Sequence, residues 1–399
     1  MSIVLLCLSL IVILIIFIWA DIYFGKRVFT KNNPSLYSEG FNDTPQLFTD
    51  GGEFFDTLFA DIENAKHDIS VSFFIVKKDA LSRLFFQHLK EAAQRGVSVS
   101  LLIDRLGSFR IGKKVIKEIE EAGVRFAFSH TPNFPFIFFK ALARNHRKIA
   151  VIDGEISYLG GFNVAKEYLG EKPKFGPWRD YHLRFTGDAV PIVQSVFAKD
   201  FAKAKQIKNE PHLNKATTPL EQKSYTFFIS NGSSVAHHYI ELFNKANASI
   251  FIGSPYFIPN HPVMMALVDA VKRGIKVSVL VPKKTDHLLV QEASYPYLKQ
   301  LLELGCPVYQ YEKGFYHGKL CMIDSSYVDI GTANFDRRSF FLNSEMNCLS
   351  SDQQLIKLLQ QHIQQDIQSS SILTLDELTK SNPIQWTKRA VASFVAGLL

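Results

Sequence analysis

One pattern of five residues occurs twice in this chain of 399 residues, and it limits the fold more than any other feature. The first copy is His146, Lys148, Asp153, Gly160 and Asn163, and the second is His317, Lys319, Asp324, Gly331 and Asn334, so both read His-x-Lys-x4-Asp-x6-Gly-x2-Asn. Four fixed offsets at roughly 5% per residue type arise in a chain this long with odds of about 0.0025, so a second copy reports duplication. The surroundings repeat as well. Asp50-Gly51, a helical stretch ending Asn64-Ala65-Lys66, an apolar run 69–74, a helix with Leu81, Leu84, Phe85 and Leu89, the turn Arg95-Gly96 and a strand 97–103 reappear from Asn231-Gly232 through Arg273-Gly274 and a strand 275–281. The offset falls from 181 at Gly51/Gly232 to 171 at the motifs, as expected when loops shorten after a duplication.

Strands alternating with helices of 10–15 residues predict βαβ units on a largely parallel sheet. Two large copies predict two similar α/β lobes facing each other, since a solenoid needs three or more units. The expected lobes are 45–204, with its motif at 141–168, and 225–375, with its motif at 311–338. The polar segment 205–224, with Pro211 and Pro219, reads as a linker, and 376–399 as a C-terminal tail whose helical apolar spacing suits packing on the body.

The N-terminus is of another kind. Residues 3–20 carry no charge and would make a helix of ~27 Å, enough for a bilayer core. Trp19, Tyr23 and Phe24 stand where an aromatic belt falls, and no basic n-region or small-x-small site marks a secretory signal. Residues 1–24 therefore read as one transmembrane anchor and 25–44 as a juxtamembrane linker. Lys26, Arg27 and Lys31 follow the run and no basic residue precedes it, which orients the body to the cytoplasm. The net charge of +7 favours an anionic partner, phospholipid or nucleic acid. The four cysteines form no C-x-x-C pair, which excludes a readable zinc knuckle or disulfide framework.

The chemistry follows from residue type. A histidine and a lysine two apart, before an apolar run, share one strand face and point an imidazole and an ammonium into one pocket. The glycines let backbone approach a ligand, and asparagine adds an amide donor. One set binds a phosphate. Two facing sets offer a nucleophile on one side and a proton donor on the other, with lysines and amides rather than a metal neutralising the phosphoryl charge. The other ten histidines lack this context and read as core or surface. Residues 134–140, Phe-Pro-Phe-Ile-Phe-Phe-Lys, read equally as a buried element or as a greasy lip at a membrane. Lys199, Lys203, Lys205 and Lys208 form an ordinary solvated face for which anionic headgroups are the natural counter-ions.

The doubled motif resembles the phospholipase D superfamily. More narrowly, the chain from about Leu47 onward resembles bacterial cardiolipin synthases, on Arg144-Asn145-His146-Arg147-Lys148, Gly160-Gly161-Phe162-Asn163 with Glu167-Tyr168, Trp178-Arg179-Asp180, Pro255-Tyr256-Phe257-Ile258-Pro259, and Asn334-Phe335-Asp336-Arg337-Arg338-Ser339-Phe340 with Asn343 and Glu345. The resemblance implies a pseudo-twofold pair of α/β/α lobes with the site at their seam, a phosphohistidine intermediate, and neither metal nor other cofactor. It implies His146 as nucleophile and His317 as acid and then base. Lys148, Lys319, Asn163 and Asn334 would hold phosphate oxygens, supported by Gly160, Gly161, Gly331 and Thr332. Asp180 and Glu345 would each orient a histidine of the other lobe. Asp153 and Asp324 belong to the motif but look structural, tying down strand ends or lysines. The implied partners are phosphatidylglycerol and other anionic phospholipids at the bacterial inner membrane. A hydrolytic phospholipase D is the nearest rival and a nuclease a remote one. These synthases commonly carry two membrane segments where this chain shows one, and Gly161 replaces the serine of many superfamily members, although the synthases share the glycine.

Overall fold

The computed structural model describes residues 2–32, 34–40, 44–207, 225–286 and 290–379. Each copy of the repeat builds one sheet. From edge to edge the first sheet holds Gln46–Phe48, His182–Thr186, Ile156–Gly160, Ile149–Ile152, Asp68–Phe73, Ser98–Asp104 and Arg125–Ser129. The second holds Leu36–Gly40, Tyr225–Asn231, Ser344–Ser350, Tyr327–Gly331, Leu320–Ile323, Ser249–Gly253, Lys276–Pro282, Val308–Tyr311 and Ser370–Ile372. Strands at equivalent places in the two copies take the same order.

Neither sheet is largely parallel, which corrects the expectation from helix–strand alternation. In each only three neighbouring strands run parallel: Asp68–Phe73, Ser98–Asp104 and Arg125–Ser129, and likewise Ser249–Gly253, Lys276–Pro282 and Val308–Tyr311. The motif strands Ile149–Ile152 and Leu320–Ile323 pair antiparallel to both neighbours. Only three residues separate each from its next strand, room for a hairpin turn and not for a crossover helix. That turn holds Asp153 and Asp324 at φ +53° each, the left-handed region that aspartate tolerates better than most residues. Their carboxylates cap the start of the neighbouring strand: Asp153 accepts from the amides of Lys66, His67 and Asp68 at 2.7–2.9 Å, and Asp324 from those of Asn247, Ala248 and Ser249 at 2.7–2.8 Å.

Helices cover the outer face of each sheet, and three large apolar clusters result. One lies under Gly51–Asn64 and Ala80–Gln94, another under Val235–Lys245 and His261–Lys272. The third lies between the sheets, where Leu102, Ile149, Val151 and Leu159 of the first meet Phe227, Leu320, Met322 and Ile330 of the second. The helices Ala189–Lys205 and Gln353–Gln368 contribute Val193, Val196, Leu355 and Leu359 to this cluster. The lobes thus share a core rather than a surface contact.

The N-terminal segment departs from expectation after residue 24. The helix runs Ser2–Asn32, and an 18-residue window within it has a mean hydropathy of 2.9 with none of that window buried. Residues 36–40 are an edge strand of the second lobe's sheet, paired antiparallel with Tyr225–Asn231. The segment expected as a linker is therefore helix and strand. The expected linker at 205–224 lies outside the described residues from 208 on, as does the tail from 380.

Candidate active site

Each motif histidine stands just before its strand, in an extended segment borrowed by the other lobe. The amide of His146 donates to the carbonyl of Ser344 at 2.9 Å, and that of His317 to the carbonyl of Arg179 at 2.7 Å. Short parallel pairings reinforce the crossing, Asn145 with Ser344 and Phe315–Tyr316 with Trp178–Arg179. This register sets a carboxylate of one lobe beside the histidine of the other. His146 Nδ1 lies 3.0 Å from Glu345 Oε2, and His317 Nδ1 lies 2.5 Å from Asp180 Oδ2. A carboxylate only accepts, so a proton on Nδ1 satisfies each pair and leaves Nε2 as the nitrogen for chemistry.

His146 and His317 line one cavity of about 600 Å³, together with Asn163, Asn334 and Asn343. Phe74, Ile75, Ile258 and Val290 give it an apolar wall, and Tyr168, Tyr256, Asp286 and Arg338 a polar one. Burial holds both histidines below their ordinary range, at about 4 each; Glu345 and Asp180 counteract this, while Lys148 and Lys319 reinforce it. Burial would also raise the carboxyls. For Asp180 the charges of Lys319 and His317 more than offset that and bring it to about 2, and for Glu345 His146 and Lys148 have the same effect. Both carboxylates are ionised and both imidazoles neutral at pH 7.

The carboxylates are anchored differently. Glu345 Oε2 accepts from the Thr332 hydroxyl at 2.6 Å, and Oε1 from the Ser339 hydroxyl at 2.8 Å. Asp180 takes the Tyr181 amide at 2.9 Å and Lys319 Nζ at 3.3 Å. A Cβ on Gly161 would stand 1.9 Å from Asp180 Oδ1, so the Asp180 side requires glycine where the other copy has Thr332. Gly160 and Gly331 likewise lie against strand backbone, at His182 and at Met346–Asn347.

The lysines lie behind the histidines. Lys148 Nζ donates to the His146 carbonyl at 2.6 Å, Lys319 Nζ donates to that of His317 and stands 2.7 Å from His317 Nδ1, and burial lowers the pKa of both ammoniums. Asn163 accepts from the Ile75 amide and donates to the Tyr168 hydroxyl, so it braces the wall. Asp153 and Asp324 are not brought to the cavity. They sit at the far ends of the motif strands and cap backbone, so their place in the motif is structural. Among the other histidines, His182 stacks on Phe54 at 4.2 Å and His238 bonds Asp329 at 3.2 Å, as core residues do.

Tyr168, Tyr256 and Arg338 stand in segments that carried the family resemblance, but nothing in their spacing gives them a role. Asp286 follows the strand Lys276–Pro282 at its carboxyl end, where α/β sheets keep their ligand crevices, and accepts from the Tyr256 hydroxyl at 2.7 Å. That position was the available signal.

Two lobes, each lending a carboxylate to the other's histidine around one cavity, define a phospholipase D-like enzyme. The profile of the family described as "Cardiolipin synthase, PLD-like domain" matches residues 58–172 and 239–367, one stretch per lobe. The chain is 37% identical over 404 residues to Minor cardiolipin synthase ClsB of Bacillus subtilis, covering 99% of this chain and all of that one. It is 35% identical over 361 residues to a cardiolipin synthase of Listeria monocytogenes, covering 89% of this chain and 75% of that one. Among solved structures the fold is similar to phosphatidylserine synthase of Haemophilus influenzae, with a TM-score of 0.73 at 15% identity over 94% of this chain and all of that one. It is also similar to polyphosphate kinase of Porphyromonas gingivalis, with a TM-score of 0.57 at 14% identity over 89% and 54%. The chain belongs to the cardiolipin synthase family, and is a phosphatidyltransferase of the phospholipase D superfamily.

Proposed function

We propose that the protein makes cardiolipin from two phosphatidylglycerols at the cytoplasmic face of a bacterial inner membrane. His146 Nε2 attacks the phosphorus of the first lipid, the bond to the glycerol headgroup breaks, and His317 delivers a proton to the departing oxygen. Glycerol leaves and the phosphatidyl group stays on His146. A headgroup hydroxyl of the second lipid then gives its proton to His317 and attacks phosphorus, the P–N bond breaks, and cardiolipin leaves. The assignment of His146 as nucleophile follows the family resemblance. Lys148 and Lys319 place positive charge behind the phosphoryl group.

One observation carries this reading: two histidines on one cavity, each with Nδ1 engaged and Nε2 left for the ligand. A neutral nucleophile is in place, but a neutral His317 has no proton to give. The bound phosphodiester supplies the correction, because its negative charge raises the imidazole pKa and Nε2 takes up a proton from water as the lipid binds. The cavity's apolar wall favours a lipid alcohol over water as acceptor.

Full-length protein in phosphatidylglycerol vesicles should form cardiolipin and glycerol in equal amounts, with or without a chelator, and His146→Ala or His317→Ala should abolish both products. Phosphatidic acid as sole product would replace synthesis by hydrolysis.

A further inference from the structure

A second cavity, of about 540 Å³, lies beside the N-terminal helix and outside the catalytic one. Three lysines line it: Lys140 from the helix Ile137–Leu142, and Lys199 and Lys203 from Ala189–Lys205. Phe29 and Phe134 also line it, and Phe134 is 81% exposed, the highest value among the exposed large hydrophobic side chains of the described residues. The acidic residue on its lining, Asp200, is paired with Arg147 at 2.6 Å, so the excess charge facing the space is positive.

Its position relative to the anchor fixes its depth. Phe138 packs edge-on against Phe17 at 6.2 Å, and the Phe139 amide donates to Asp21 at 2.8 Å, so the segment before Lys140 lies along the apolar part of the anchor. Phe29 is three residues past Lys26, the first basic side chain after the run, about 5 Å farther along the axis. Lys203 sits over the Phe29 ring at 4.4 Å. Phe138 is then at acyl-chain depth and the lysine cavity beside Phe29 at headgroup depth, the order in which a phospholipid presents its own parts.

We propose that this cavity binds the phosphodiester headgroup of an anionic phospholipid, as a site distinct from the catalytic one. The lysines take the phosphate and the exposed Phe134 ring packs on the upper acyl chains. The two cavities share a wall: Asn145 and Ser344 face the lysine cavity, while their neighbours His146 and Asn343 face the catalytic one. A lipid held there is stored one residue away from the reacting histidine. The proposal rests on the membrane placement of the anchor, and its test reads binding rather than product.

The full chain carrying His146→Ala, which stops turnover, is placed in phosphatidylcholine nanodiscs with phosphatidylglycerol as the probe. Lipid retained on release is counted by mass spectrometry of the intact protein. Two phosphatidylglycerols per chain are expected. Adding Lys140→Gln, Lys199→Gln and Lys203→Gln together should leave one, the other binding at least about tenfold more weakly. The three corresponding arginine substitutions should keep two. Equal retention by the glutamine and lysine forms overturns the proposal. So does displacement of the second lipid by inorganic phosphate or glycerol 3-phosphate, which would make the cavity a site for free anions. If the form with His146 intact makes no cardiolipin while the glutamine form still loses one lipid, this cavity stands and the proposed function falls.

Discussion

At the scale of single residues the site depends on how its carboxylates are held. The Thr332 hydroxyl both donates to Glu345 Oε2 and accepts the Met346 amide at 2.9 Å, so it ties the carboxylate facing His146 to the strand beneath. Thr332→Val keeps the shape and removes both bonds. Activity should fall about 10–100-fold, carried by kcat, because the carboxylate loses its orientation, and Thr332→Ser should restore it. The orphaned Met346 amide should also lower stability by about 1–3 kcal/mol. Unchanged kcat in the valine form would show that Glu345 needs no such anchor. The motif residues themselves were legible from spacing alone, because identical offsets in two copies leave little room for chance. Arg147 was not. It occupies the free position of the first motif, yet it is among the most deeply buried side chains and ties Asp200, Asn231 and the Ser230 carbonyl together. The second copy has Gly318 there, packed against Tyr181 and Tyr316, so comparing the copies marks the position as variable.

Among the elements, the strand Leu36–Gly40 was the least readable. Five residues, Leu-Tyr-Ser-Glu-Gly, show little alternation, and their partner lies almost two hundred residues away, at Tyr225–Asn231. Local pattern reports helices and motif strands well; it says nothing of which distant edge a short segment will cover. The placement has a consequence for truncation. Removing residues 1–33 takes away the anchor and keeps the strand, whereas removing 1–44 strips it and bares the edge of Tyr225–Asn231. The first form should run as a discrete species in size-exclusion chromatography and the second should aggregate, as exposed sheet edges do. Identical elution of the two would mean that the strand protects nothing. The antiparallel motif strands were missed for a related reason. Helix–strand alternation signals crossovers, and the three-residue turns after Ile152 and Ile323 were read only as part of the motif.

For the molecule as a whole, burial of two neutral imidazoles makes stability depend on pH. His146 and His317 titrate near 4 when folded and near 6.5 when unfolded, so between these values the unfolded chain binds more protons and stability falls as the pH falls. Their contribution is complete above pH 6.5, and at pH 5 each has lost roughly 2 kcal/mol. The urea midpoint of ligand-free protein should therefore be lower at pH 5 than at pH 7.5, and His317→Gln should reduce the difference without abolishing it, because His146 and the buried His182 and His130 remain. A midpoint independent of pH over this window would show that neither ring is buried as described. The reciprocal loan of carboxylates also has a consequence in time. Ribosomes deliver His146 almost two hundred residues before Glu345, so a nascent chain holds that histidine without the carboxylate beside it until most of the second lobe is made. The first lobe alone therefore cannot assemble the site, and the pair becomes complete only when the second lobe folds onto it.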